Sequence, residues 1–222
     1  MSVTTPTGFA AAGVAAGIKS GERLDLAVVS NLGPRFAAAG VFTRNRVFAA
    51  PVDWSRRAVA DGRLCAVVLN SGGANACTGR SGFEDARVMA EKTAAGLGVA
   101  AGDVAVCSTG LIGVRLPVPE VVSGIEQACS RLSRDGGDDA ATAIMTTDTV
   151  SKQAVHHGEG WSIGGMVKGA GMLAPGLATM LVVLTTDADL EAPALDAALR
   201  EASRVSFDRA DADGCMSTND TV

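Results

Sequence analysis

Short apolar segments that run straight into glycine, serine, threonine and asparagine recur along this chain, and they limit the folds open to it. Leu64 to Asn70 reads as a β-rich run ending in Ser71-Gly72-Gly73-Ala74-Asn75, and Val104 to Cys107 as a short strand entering Ser108-Thr109-Gly110. A third cluster, Thr146-Thr147-Asp148, is read in the same way. Glycine at a strand end lets backbone N–H groups turn toward an anion or oxyanion, although a plain turn is the simpler reading of each cluster alone.

Further strands are expected at Leu24 to Ser30, Gly40 to Thr43, Lys152 to His156, Trp161 to Val167 and Thr179 to Thr186. Apolar residues at helical spacing predict helices over Gly82 to Leu97, from Pro119 to Leu132, from Asp138 to about Met145, and over Pro193 to Ser206. The mixture is α/β or α+β, without a visible interdomain linker. Asp213 to Val222 reads as a turn feeding a strand, as if the chain were the first part of something longer.

Composition removes several function classes. Of 222 residues, 47% are hydrophobic and 19% charged, which suits a globular protein rather than a disordered one. The net charge of -5 and an aromatic content of 4% without tyrosine argue against nucleic-acid binding, which needs basic surface and stacking platforms. No run approaches the ~20 apolar residues of a membrane span, and Met1 to Pro6 lacks the basic start of a secretory signal. Cys65, Cys77, Cys107, Cys129 and Cys215 form no C-x-x-C pair and read as reduced, buried cysteines of a cytoplasmic protein. The only histidines, His156 and His157, are adjacent and read as solvated hairpin residues, so neither a Ser-His-Asp triad nor a zinc site is expected. Asp211-Ala212-Asp213-Gly214 fails as a calcium loop, because the twelfth position of that register would be Asp220.

The stretch Lys168 to Leu181 (KGAGMLAPGLATML) is more specific, placing a Gly/Pro-rich loop before a strand that opens with Thr179. A threonine can act as nucleophile without histidine when its own α-amine is the base, which requires a chain break just upstream. A free α-amine has a pKa of roughly 7.7–8.0, suited to that task at neutral pH. Spacing alone leaves a glycine-rich hairpin turn open as the alternative.

This stretch resembles the self-processing motif of the ornithine acetyltransferase family, the glutamate N-acetyltransferases of the cyclic arginine pathway. So do Gly40 to Asn45 (GVFTRN), Asn70 to Gly79 (NSGGANACTG), Val106 to Gly113 (VCSTGLIG), Ile144 to Asp148 (IMTTD) and Ser217 to Val222 (STNDTV), in order along essentially the whole chain. The resemblance implies a layered α/β sandwich of the self-processing N-terminal-nucleophile type. It implies cleavage at Ala178–Thr179, dividing residues 1–178 from 179–222, the start of a second chain that family proteins continue past the STNDTV motif. Thr179 would be the nucleophile, Thr109 and Gly110 the oxyanion-stabilising pair, and Lys168 with Thr147 or Thr146 the substrate contacts. Lys168, as a point charge, could hold an amino-acid carboxylate.

The implied reaction carries acetyl from N-acetylornithine to glutamate through an acetyl-threonine ester, with no metal or organic cofactor required. Some family members also accept acetyl-CoA as donor. The implied partner is the chain's own processed half, in an assembly of two copies of each. Two other readings stand beside this one: an N-terminal-nucleophile aminopeptidase or amidohydrolase with water as acceptor, and a non-catalytic fragment that only binds ligand.

Overall fold

Small residues build the first strand. Phe9–Val14 (β1) pairs antiparallel with Leu26–Asn31 (β2), and β2 pairs antiparallel with Ala66–Gly73 (β3). Strand β3 runs parallel to Val104–Leu111 (β4), completing a four-stranded sheet in the order β1-β2-β3-β4. A second, wholly antiparallel sheet contains Lys152–His157 (β5), Ser162–Lys168 (β6) and Leu181–Thr186 (β7). The computed structural model describes residues 2–172 and 180–222. Residues 173–179, Ala178 and Thr179 among them, lie outside the described residues.

The helices are Ala50–Ala58 (α1), Gly79–Leu97 (α2), Val118–Ser130 (α3), Gly137–Ala143 (α4) and Ala192–Val205 (α5). Pro51, Pro119 and Pro193 sit in the first turns of α1, α3 and α5, where a missing N–H costs no hydrogen bond. Helix α2 ends at Gly98, whose φ of 70° returns its N–H to the Ala94 carbonyl.

Side-chain alternation along the strands separates the layers. Val14, Leu26, Val28, Val68 and Val106 face one core, filled by Met89 of α2 and Ile125 of α3. Ala27, Val29, Leu69 and Cys107 face the opposite way, onto Ala140 and Ala141 of α4 and onto Met166, Leu181 and Val183 of the second sheet. Met180 and Val182 turn outward to Leu199 of α5, Phe207 and Val222. The layers therefore run helices, sheet, sheet, helix, with α4 at the edge of the sheet–sheet core. Fully buried side chains such as Leu26, Leu69 and Ile125 each contribute about 1.5–3 kcal/mol by leaving water.

Several expectations change. Gly40 to Thr43 is not a strand of either sheet: Phe42 makes only an isolated bridge to Thr221, flanked by hydrogen bonds of Val41 with Val222 and Thr43 with Asp220. The expected final strand is these same few residues, and Thr221 also bridges Leu181. The first two polar clusters are not loops after strands, because Ser71-Gly72-Gly73 continue β3 and Ser108-Thr109-Gly110 continue β4. The third follows helix α4 rather than a strand. Cys65 and Cys107 are buried, but Cys77 and Cys215 are exposed and Cys129 is half-buried, so burial is not common to the five. His156 and His157 are exposed at the end of β5, as expected. Among the described residues, no helix is long and apolar enough to cross a membrane.

Candidate active site

The parallel ends of β3 and β4 form the floor of the site. Ser71 pairs with Thr109 and Gly72 with Gly110, and these two glycines adopt φ of 136° and 132°. A Cβ on Gly110 would lie 2.4 Å from the Gly72 carbonyl carbon and 2.6 Å from the Gly73 nitrogen. Only glycine lets the strands pass this close. Below them, Ser108 Oγ donates to Asn70 Oδ1 at 2.5 Å, and Asn70 Nδ2 donates to the Gly73 carbonyl at 3.0 Å.

Lys168, the last residue of β6, reaches from the second sheet to the first and donates to Thr109 Oγ1 at 3.1 Å. Its residue exposure is 2%, and burial pushes its pKa from 10.5 down to about 8. An ammonium has no acceptor, so the Thr109 hydroxyl receives a bond from Lys168 and keeps its own proton to donate. Ser71 Oγ donates to the Ala143 carbonyl at the end of α4, tying the following Thr146-Thr147-Asp148 turn to β3.

Burial acts to raise the pKa of two carboxylates here, yet their net shifts are opposite. Burial acts to raise the Asp148 pKa, but bonds from Lys152 Nζ at 2.5 Å, Gly169 N–H at 2.8 Å and Thr146 N–H at 3.3 Å hold it below the usual range. Asp220 receives the Met180 N–H at 2.9 Å on Oδ1, while Oδ2 has no hydrogen-bond partner among the described residues. Burial therefore prevails and raises Asp220 to about 7, against the pull of the Met180 N–H, the nearby Ser217 hydroxyl and the Lys168 charge. Asn219 Nδ2 fastens this segment to the floor by donating to the Ala74 carbonyl at 2.6 Å and the Ser108 carbonyl at 2.8 Å.

These elements enclose a cleft of about 570 Å³. Thr109, Gly110, Thr146, Thr147 and Lys168 all line it, so every described residue expected to act on substrate converges there. Ala178 and Thr179 lie outside the described residues; Met180, next in the chain, is held by Asp220. Among the described residues, no group of three or more His, Cys, Asp or Glu side chains is placed to hold a metal ion.

The family model described as ArgJ family matches residues 10–222. The chain belongs to the ArgJ family. It is 65% identical over 222 residues to the arginine biosynthesis bifunctional protein ArgJ of Streptomyces coelicolor, covering 100% of this chain and 58% of that protein. The ArgJ protein of Thermobifida fusca is 64% identical over the same shares. The chain thus spans about 58% of the length of these curated ArgJ relatives.

A crystal structure of ornithine acetyltransferase complexed with ornithine from Mycobacterium tuberculosis superposes with a TM-score of 0.77 at 55% identity, over 81% of this chain and 96% of that one. The ArgJ structure from Bacillus halodurans gives 0.64 at 33% identity, over 84% and 88%. The expected α/β sandwich is therefore the ArgJ fold.

Sequence reasoning missed part of this ArgJ cleft. Lys19 and Arg23, in the connection between β1 and β2, line it together with Ser217, Thr218 and Asn219. Lys19 and Arg23 belong to no motif or periodic pattern, whereas Ser217, Thr218 and Asn219 stand in the STNDTV stretch, for which the sequence suggested no role in the cleft.

Proposed function

We propose that the chain supplies the nucleophile and oxyanion site of an acetyltransferase that moves acetyl from N-acetylornithine to glutamate in arginine biosynthesis. The reading rests on one observation above the rest: residues from β4, the turn after α4 and the end of β6 meet in one cleft, with Lys168 bonded to the Thr109 hydroxyl. Membership of the ArgJ family, whose curated relatives carry arginine biosynthesis in their names, supports it.

In this reading the Thr179 hydroxyl takes over the Ala178 acyl group from its own nitrogen, and water then hydrolyses that ester, leaving a carboxylate on Ala178 at the end of residues 1–178 and a free α-amine on the chain that Thr179 begins. The freed α-amine accepts the proton as Thr179 Oγ attacks the amide carbonyl of N-acetylornithine. Thr109 and Gly110 donate to the developing oxyanion, and Lys168 polarises the Thr109 hydroxyl toward it. Collapse of the intermediate breaks the C–N bond, the amine proton returns to the leaving group, and ornithine departs from an acetyl-threonine ester. The glutamate amine then attacks that ester and leaves as N-acetylglutamate, restoring Thr179. Thr146 and Thr147 position the amino-acid backbone. No metal or organic cofactor enters these steps, and two copies of each processed chain form the assembly.

The test uses the full-length protein with N-acetylornithine, with and without glutamate. Ornithine release should stop near one equivalent per site without glutamate and continue when glutamate is added. Release indifferent to glutamate marks a hydrolase and overturns the reading. Thr179→Ala should abolish both cleavage and transfer, and acetyl-CoA in place of N-acetylornithine reads the donor range.

A further inference from the structure

Among the described residues, three cationic side chains, Lys19, Arg23 and Lys168, line the cleft, and no aspartate or glutamate does. None of the three has an ion-pair partner among the described residues, whereas nearby Lys152 is paired to Asp148 at 2.5 Å. Lys19 Nζ donates to the Met145 carbonyl at 2.6 Å and the Leu24 carbonyl at 3.4 Å, neutral acceptors that fix the ammonium without cancelling its charge. One of its three N–H groups remains for a ligand. Arg23 is held only by Ser20, through Nε to the carbonyl at 3.2 Å and Nη2 to the hydroxyl at 3.4 Å.

The carboxylates close to Lys19 are already engaged. Asp25 is fully buried and accepts the Ala16 N–H at 2.7 Å and the Lys19 N–H at 2.8 Å, while Asp148 is held by Lys152, Gly169 and Thr146. Burial works most strongly against the Lys19 ammonium and the like charge of Arg23 adds to it, while the Asp25 and Asp148 carboxylates offset only part of that cost. Cations kept together on the wall of a cleft, and only partly offset by carboxylates that lie behind them and are already engaged, favour an anion between them.

We infer that Lys19 and Arg23 form a wall that selects the acidic acceptor, drawing in its side-chain carboxylate and disfavouring the cationic side chain of the amino acid that leaves. This rests on the acetyl-transfer reading above. In a double displacement both amino acids occupy the same cleft: each carries an α-carboxylate, and they differ in the sign of the side-chain charge. A wall of fixed positive charge lowers the affinity of the leaving ornithine and raises that of glutamate, so it biases exchange toward the acceptor. Lys168, buried on the floor and bonded to Thr109, stays with the end of the substrate that both share.

The test is charge reversal at Arg23, which is exposed and whose replacement leaves the core untouched. In the full-length protein, Arg23→Glu should raise KM for glutamate roughly tenfold and lower KM for N-acetylornithine, with Arg23→Gln between. Opposite movement of the two constants cannot come from a loosened fold, which would shift both together. Calorimetric titration of the same proteins with glutamate and with ornithine reads the preference without turnover. Parallel shifts, or unchanged glutamate affinity in Arg23→Glu, overturn the inference. Absence of any acetyl transfer in the wild type instead overturns the function on which it rests, while the titration still decides the charge preference.

Discussion

The Lys168 ammonium and the Thr109 hydroxyl meet at 3.1 Å across the two sheets, both nearly removed from solvent. Two strands from different sheets thereby fix one hydroxyl with its proton free to point into the cleft.

The first consequence concerns that hydroxyl. Thr109→Val keeps the shape but removes the donor, and should lower kcat about 10²–10³-fold, as loss of one oxyanion donor does elsewhere. Thr109→Ser should retain most activity. The Thr179 α-amine must lose its proton, at roughly 7.7–8.0, and Lys168 must keep its charge, so transfer should rise toward neutral pH and fall as pH rises beyond about 8. The rate of ornithine release across pH checks both statements.

Stability should vary with pH in a direction set by two buried groups. Asp220 is raised from 3.8 to about 7, so between those values the folded state binds the extra proton and stability falls as pH rises. Lys168 is lowered from 10.5 to about 8, so over that interval the unfolded state binds the extra proton and stability rises with pH. Asp220→Asn keeps an acceptor for the Met180 N–H and removes the charge. It should match wild type near pH 4 and be more stable at pH 7–8, by on the order of 1–4 kcal/mol. Urea midpoints measured across pH read this difference.

Gly110→Ala should damage fold and activity together. The added Cβ would press on the backbone of Gly72 and Gly73, in a region of φ that side chains rarely adopt. A loss of about 2–5 kcal/mol is expected from strain and overpacking combined. Gly113→Ala, where a Cβ meets nothing within 4 Å although φ is 82°, should cost much less in the same urea titration.

Much of the architecture was legible because period and composition agree in α2, α3, α5 and β7. Strand β1 escaped notice because FAAAGV contains too few large or β-branched residues to mark a strand. Its pairing with β2 and the packing of α4 decide its conformation. Helix α1 was missed for its brevity, nine residues opening on Ala-Pro. The polar clusters were found, but their continuation as paired strands was not, since glycine signals turns locally and only the β3–β4 register shows why it is needed here. Asp148 and Asp220 lay within recognised motifs, yet their opposite pKa shifts depend on how many N–H donors surround each carboxyl, which spacing does not encode.

Intact-mass analysis of the full-length protein, incubated with N-acetylornithine and no glutamate, tests the central claim most directly. The expected result is two chains meeting at the Ala178–Thr179 bond, with the chain that begins at Thr179 heavier by one acetyl group until glutamate is added. A single uncut polypeptide that still exchanges acetyl between ornithine and glutamate would contradict it.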